Sequence, residues 1–164
     1  MECHRDFPWS KVVYNWACFT GIQVSAVFIV IHLGFFVFLA YLLVTAAAYL
    51  LTATTICNRC SYYGRRCALG LGLAASLLRR KGAEAEYCGT KPQGLAILLL
   101  AFSIAVQIYG SVRLTLQGAW FWPAVFGLFL LGLALPHPKL MCRYCGQRIN
   151  EKGACPIGQR LVRP

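Results

Sequence analysis

Acidic residues are scarce in this sequence, with five Asp and Glu against 16 Lys and Arg among 164 residues. They are Glu2, Asp6, Glu84, Glu86 and Glu151. Glu84 and Glu86 are two positions apart, so they would not share a helical face as a catalytic pair. The sequence also contains no serine–histidine motif and no glycine-rich loop that cradles phosphates. These absences favour a protein without catalytic activity, with a lipid-directed activity built from a loop as the alternative.

Charged residues of either sign are also few, at 13% of the chain against about 25% in an ordinary soluble domain. Apolar residues make up 59%, and the mean hydropathy is +0.60. A soluble protein of this size could not bury so much apolar surface in one core, so we predict an integral membrane protein. The first ten residues lack the basic stretch and short apolar core of a cleavable signal peptide, so we expect none.

The first apolar block, 17–56, contains no Lys, Arg, Asp or Glu. A membrane-spanning helix needs about 20 apolar residues, and this block is about twice that long. It therefore predicts either two passes with a tight turn or one long, tilted pass. We favour two helices, over 12–31 and 35–55, with the turn at His32-Leu33-Gly34. His32 is then interfacial, and an intramembrane ligand for haem or a metal is the alternative.

The second apolar block, 94–135, is interrupted near its middle. The interrupting residues are Gly110, Arg113, Gln117 and Gly118, followed by Trp120, Trp122 and Pro123. Tryptophans suit the membrane interface, and proline suits the first turn of a helix. The pattern predicts helices over 94–109 and 120–135. The fold class is then an all-α membrane protein with two transmembrane helical hairpins: four spans, or three if the first block crosses once.

Basic residues are concentrated in the loop 57–93 and the tail 137–164. They are Arg59, Arg65, Arg66, Arg79, Arg80, Lys81 and Lys91 in the loop, and Lys139, Arg143, Arg148, Lys152, Arg160 and Arg163 in the tail. The positive-inside rule places both segments on the cytoplasmic side of the plasma (inner) membrane. The net charge of +11 then reflects topology and attraction to anionic lipid headgroups, and we expect no nucleic-acid partner.

These patterns divide the chain into four segments. An N-terminal transmembrane hairpin covers 1–56, and a cytoplasmic basic, cysteine-rich loop covers 57–93. A second transmembrane hairpin covers 94–136, and a cytoplasmic tail covers 137–164. Within the loop, 68–78 is predicted to form a short interfacial helix that ends in a basic cluster.

Nine cysteines carry most of the functional information. Seven of them lie in the loop and the tail, where a cytoplasmic location does not preserve disulfides. Two Cys-x-x-Cys pairs stand out, Cys57/Cys60 and Cys142/Cys145. This spacing lets two thiolates converge on one tetrahedral metal at about 2.3 Å, as in structural zinc sites. The sequence therefore predicts a small metal-stapled cap over the helices.

The tail resembles a zinc ribbon over about 17 residues. Cys142-Arg143-Tyr144-Cys145-Gly146 is similar to the first zinc knuckle of that family, and Cys155-Pro156-Ile157-Gly158 to the second. Gly158 stands where the resemblance implies the fourth ligand. The missing donor would come from His137, or from Cys88 or Cys67 in the loop.

The loop has its own four-cysteine set. It consists of Cys57, Cys60, Cys67 and Cys88, which could close a site without help. The competing interpretation is that Cys67 and Cys88 are small buried residues that pack like hydrophobes. A single arrangement shared by loop and tail is a third alternative.

An iron–sulfur cluster is the main alternative to zinc, although neither cysteine set has the dense spacing of ferredoxin motifs. A redox-active thiol pair is less favoured because no βαβ setting surrounds either pair. We expect an accessory or assembly subunit, with the lipid bilayer and protein subunits in the membrane as its partners. The alternative is a redox-active or metal-handling membrane protein, and no small-molecule substrate is indicated.

Overall fold

The computed structural model describes residues 6–83 and 91–145, and the regular structure in these two ranges is helical. The helices are α1 (Trp9–Ile31), α2 (Phe35–Leu51), α3 (Leu71–Leu78), α4 (Lys91–Leu116), α5 (Phe121–Ala134) and α6 (His137–Leu140). Three stretches are long and apolar enough to cross a membrane: Trp9–Ile31, Phe35–Arg59 and Gln93–Leu116. The prediction of an all-α chain with helices long and apolar enough to span a membrane is confirmed.

The first apolar block forms two helices, as the favoured interpretation predicted. They are separated by a tight turn at His32, Leu33 and Gly34. Gly34 has φ of +120°, a conformation that glycine adopts without the clash a Cβ would cause. His32 lies at this turn and is exposed, with Nδ1 2.7 Å from the carbonyl oxygen of Phe28. The structure thus places His32 at the end of the bundle and outside its interior.

The second apolar block turns later than the sequence predicted. We expected α4 to end at Tyr109, but it continues through Gly110 and Arg113 to Leu116. Gly110 packs closely against α1, since a Cβ there would lie 2.7 Å from the side chain of Ile29. The glycine therefore marks a helix crossing and not a turn. The actual turn contains Gly118, with φ of +82°.

Helix α5 is shorter than α1, α2 and α4. At 1.5 Å per residue, its 14 residues extend about 21 Å, less than the roughly 30 Å of a bilayer's hydrocarbon core. Beyond α5, Leu135 and Pro136 form a turn that leads directly into α6. Pro123 lies in the first turn of α5, as expected. The fourth span therefore stays a prediction.

Helices α1, α2, α4 and α5 pack in two antiparallel pairs, α1 with α5 and α2 with α4, and α1 also packs against α4. Gly21 allows α1 and α5 to approach each other closely. A Cβ on Gly21 would lie 2.5 Å from the ring of Phe129, so α1 and α5 touch there. Ile29 and Phe126 belong to a buried cluster that holds α1 and α5 together.

Polar side chains connect the helices inside the bundle. Gln23 donates a hydrogen bond to the Tyr49 hydroxyl at 2.7 Å and accepts one from Tyr41 at 3.1 Å. Gln107 donates to the Tyr41 hydroxyl at 2.8 Å. Hydrogen bonds between helices are a common means of association where lipid gives little hydrophobic drive. Gln23 and Gln107 therefore act as links between helices.

One end of the bundle carries a small cap built from the N-terminal segment, the loop and the tail. Phe7 donates its backbone N–H to the carbonyl of Arg66 at 3.1 Å. Phe7, Val12, Tyr62 and Met141 form one buried cluster. The N-terminal segment therefore lies at the same end as the loop and the tail, as two passes through the first block require.

The short helix predicted over 68–78 is present as α3, which begins at Leu71. Gly72 of α3 packs against the backbone at Tyr62, near the start of the loop. A Cβ on Gly72 would lie 2.3 Å from the backbone oxygen of Tyr62. Only glycine allows this approach. The glycine of the predicted helix therefore marks a close contact with a loop turn, inside the cap.

Candidate cysteine site

The first Cys-x-x-Cys pair follows directly from the end of α2. The helix widens into one π-helical turn, Thr52–Ile56, in which the Thr52 and Thr55 hydroxyls donate to the carbonyls of Ala48 and Leu51. Single π-turns occur often at functional sites. A 3₁₀ turn, Cys57–Arg59, comes next, and the Cys60 N–H donates to the Cys57 carbonyl at 3.3 Å.

The second Cys-x-x-Cys pair repeats this local geometry in the tail. After α6, a 3₁₀ turn covers Cys142–Tyr144, and the Cys145 N–H donates to the Cys142 carbonyl at 3.3 Å. Backbone angles after the turn are also alike: φ −76° and ψ 148° at Cys60, φ −80° and ψ 119° at Cys145. Residues three apart eclipse each other in a 3₁₀ turn, so each pair presents both thiols on one side.

Loop and tail cysteines meet in the cap. Cys60, Cys67 and Cys145 all pack against the cluster of Phe7, Val12, Tyr62 and Met141. The Cys60 thiol lies within electrostatic range of Cys67 and Cys145, and Cys57 lies within range of Cys60 and Cys67. The structure therefore brings four of the predicted ligands into one neighbourhood, and this arrangement is shared by loop and tail.

Hydrogen-bond donors point at two of these sulfurs. Gly72 donates its N–H to the Cys67 sulfur at 3.4 Å. The Tyr62 backbone donates towards the Cys60 sulfur. Burial outweighs these donors and raises the pKa of the Cys60 thiol from 9.0 to about 11, with the nearby Cys145 and Cys67 adding to the rise. In the absence of a cation, this thiol is therefore protonated at neutral pH.

The thiols lie in one part of the cap, but they do not surround a common metal position. Within residues 6–83 and 91–145, no three Cys, His, Asp or Glu side chains stand close enough to hold a metal ion together. Cys57, Cys60, Cys67, Cys142 and Cys145 are all partly buried. Zinc binding would require side-chain rotations that bring the sulfurs to about 2.3 Å from a common centre.

Three further ligands were predicted from the sequence: Cys88, Cys155 and His137. Cys88 and Cys155 lie outside the described residues, as does the second half of the ribbon-like segment. His137 is the first residue of α6, and burial lowers its pKa, so its imidazole is neutral at pH 7. Its Nδ1 is buried and has no hydrogen-bond partner among the residues the structure describes. A neutral imidazole with a free nitrogen is the form that binds metals.

Sequence reasoning missed the residues that hold the cap to the bundle. Asn15 Nδ2 donates to the Ala68 carbonyl at 2.9 Å, and Trp16 Nε1 donates to the Leu69 carbonyl at 3.1 Å. The ammonium of Lys11 lies 3.9 Å from the centre of the Tyr144 ring, a cation–π contact between α1 and the tail. A polar residue early in an otherwise apolar span was the available signal for Asn15.

The three comparisons with known proteins agree. The chain matches no family model, no curated protein and no solved structure.

Proposed function

We propose that this chain is a small helical membrane protein whose loop and tail share one structural zinc ion. The main support for the proposal is that Cys60 of the loop and Cys145 of the tail lie close together in the cap. They end two turns of the same geometry, lie far apart in the sequence, and pack against one buried cluster. A metal held by both turns would fasten the tail to the loop.

Cys57, Cys60, Cys67 and Cys145 are the proposed ligands. Four thiolates complete the closed tetrahedral shell of a structural zinc site. Cys142 lies in the same turn as Cys145 and is the alternative donor from the tail. Cys88, Cys155 and His137 remain candidate metal ligands predicted from the sequence.

The chemistry of the donor set suits zinc. A divalent cation deprotonates the thiols that bind it, which offsets the effect of burial on the pKa of Cys60. The donors from Gly72 and Tyr62 would then stabilise the bound thiolates, as outer hydrogen bonds commonly do around metal sites. The same high pKa argues against thiol redox chemistry, because the thiolate is the reactive form.

A cap of this size needs the metal for its stability. The buried cluster Phe7, Val12, Tyr62 and Met141 is small, and a structural zinc ion contributes on the order of 10 kcal/mol to folding. A rigid cap on an apolar bundle suits an accessory or assembly subunit of a membrane complex. Exposed basic residues on the cap, Arg65, Arg79 and Arg80, fit a cytoplasmic face against anionic headgroups.

Metal analysis of the detergent-purified protein tests the site. We expect about one zinc ion per chain if the four ligands share one site. Cys60→Ser and Cys145→Ser should each lose the metal. Cys18→Ser is the matched control, because Cys18 is buried within α1 away from the cap, and it should keep the metal.

Two results would contradict the shared site. One is a wild-type protein free of zinc when purified without chelators. The other is a Cys145→Ser variant that keeps its full metal content. A broad visible absorption band with stoichiometric iron would replace zinc with an iron–sulfur cluster.

The accessory role has its own test. Native electrophoresis of membranes dissolved in mild detergent should place the protein in a complex much larger than its 18.2 kDa mass. Cys145→Ser should release it as a monomer while Cys18→Ser stays in the complex. A wild-type protein that migrates alone would rule out a stable accessory subunit and leave the zinc site as a separate question.

A further inference from the structure

Helix α3 turns its small residues inward and its large residues outward. Gly72 and Ala75 are buried, on the side where the helix packs against the turns that follow α2. Leu73 and Leu77, four positions apart on one helical face, are 44% and 88% exposed. Leu69, just before the helix, is also exposed. A helix that faces water shows the opposite pattern, so this leucine face marks a surface that something apolar covers.

Arginines border the leucine face. Arg79 and Arg80 follow α3 directly and are exposed. The Tyr63 hydroxyl donates to the Arg79 carbonyl at 2.7 Å, which ties the end of α3 to the preceding turn of the loop. Arg65 belongs to that turn and is exposed, and its backbone oxygen would lie 2.7 Å from a Cβ on Gly72. The leucine face and three arginines therefore share one part of the cap.

The chain does not balance this positive charge. Asp6 is the one acidic residue within 6–83 and 91–145. The loop 57–93 as a whole has seven basic residues against two acidic ones, Glu84 and Glu86. The surface that complements the arginines is therefore negatively charged.

Contacts with α1 place this part of the cap at the depth of a membrane interface. The Arg66 guanidinium lies 5.1 Å from the centre of the Trp9 ring, and Trp16 Nε1 donates to the Leu69 carbonyl at 3.1 Å. Both tryptophans are more than half exposed, as residues of an interfacial belt are. They are seven residues apart on α1, about 10 Å along its axis. The charged contact thus lies outward of the apolar one, the order of headgroups and acyl chains.

We propose that α3 lies in the membrane interface, where Leu73 and Leu77 enter the acyl boundary and Arg65, Arg79 and Arg80 bind the phosphates of anionic phospholipids. Such a lipid supplies both an apolar chain and a negative charge. The leucine face also continues from Trp16, which is exposed on a helix long enough to span the membrane. The inference rests on the membrane placement in the proposed function and is independent of its zinc ion.

Photolabelling by phospholipids tests the surface. The full-length protein is placed in nanodiscs made of equal parts phosphatidylcholine and phosphatidylglycerol. Trace probes with either headgroup carry a diazirine near the glycerol end of one acyl chain. The phosphatidylglycerol probe should label Leu73 and Leu77 at least fivefold more than the phosphatidylcholine probe, since each basic residue near an anionic surface contributes about a factor of five in affinity.

Variants separate the charge from the apolar contact. Arg79→Gln combined with Arg80→Gln should reduce the headgroup preference at Leu73 at least fivefold. Its matched control is Arg113→Gln, an exposed arginine at the opposite end of the bundle, which should leave that preference unchanged.

Leu77→Asn should lower labelling of Leu73 by both probes about tenfold, the effect of losing one inserted leucine. Leu116→Asn is the control for this variant, because Leu116 is 83% exposed at the other end of α4.

The comparison of the two headgroups on the wild-type protein stands even if a variant fails to fold. Equal labelling of α3 by both probes would overturn the proposal. Labelling of Trp16 without labelling of α3 would overturn it too, because the leucine face would then meet water or a second copy of the chain. Zinc content measured in the same samples keeps the two proposals apart: full zinc without headgroup preference rejects the lipid surface alone, and the preference without zinc rejects the zinc site alone.

Discussion

The helical bundle and the cap are stabilised by different means. In the bundle, long apolar helices pack along their lengths at Gly21 and Gly110, and amide and hydroxyl groups bond across helices. In the cap, a four-residue buried cluster and a few anchors from α1 hold three short segments together. The first region has helix packing along its whole length, whereas the second has only a small buried cluster. The two regions should therefore respond differently to the same perturbation.

Metal removal should produce the largest difference between them. If the proposed zinc ion is bound, chelation or Cys145→Ser should remove on the order of 10 kcal/mol of folding free energy from the cap and none from the bundle. Trypsin should then cut at Lys139 and Arg143 at least tenfold faster, measured by mass spectrometry of the tail peptides. Membrane insertion should not change. Equal digestion rates for wild type, chelated wild type and Cys145→Ser would mean that no metal stabilises the tail.

The second effect concerns thiol reactivity in the metal-free cap. Burial raises the pKa of Cys60 from 9.0 to about 11, so the reactive thiolate is about 100-fold less abundant at pH 8 than for an ordinary cysteine. We expect iodoacetamide to modify Cys60 about 100-fold more slowly than a cysteine peptide. The rate should increase about tenfold per pH unit up to about pH 11. A plateau below pH 9 would show that the thiol is not desolvated.

Glycine substitutions compare the two regions directly. Gly72→Ala places a Cβ 2.3 Å from the Tyr62 carbonyl oxygen, and because the obstacle is backbone, the cap must shift. We expect a loss of about 1–3 kcal/mol in cap stability, the usual cost of overpacking, measured by urea-dependent proteolysis. Gly127→Ala is the control, since nothing lies within 4 Å of the added carbon. Equal protease resistance of the two variants would argue against the close approach of α3.

The smallest effect should come from the polar links of the bundle. Tyr41→Phe removes hydrogen bonds to Gln23 and Gln107, each worth about 0.6 kcal/mol in membrane proteins. Thermal unfolding in detergent should shift down by a few degrees at most. Tyr109→Phe is the control, because Tyr109 is 64% exposed on the surface. A loss above about 3 kcal/mol would show that Tyr41 does more than link α2 to its neighbours.

Much of the bundle was predictable because apolar length alone specifies a membrane helix. The charge-free block 17–56 and the turn residues His32-Leu33-Gly34 favoured two helices over one long pass, and the structure has two helices with the turn at that place. The end of α4 was not predictable. Gly110 and Arg113 look like turn residues, but close packing against Ile29 gives the glycine a different role. A composition break cannot distinguish a turn from a helix crossing.

By itself, the sequence determined the class of the protein, the turn between α1 and α2, and the types of residue in the candidate site. The spacing of each cysteine pair required only local turns, which neighbouring residues specify. Only the tertiary structure decided that Cys60 and Cys145 lie in one cap, and that Asn15 holds the loop with one atom and leaves another unpartnered. These relations join residues far apart in the chain, and no local pattern encodes them because they depend on how the helices pack.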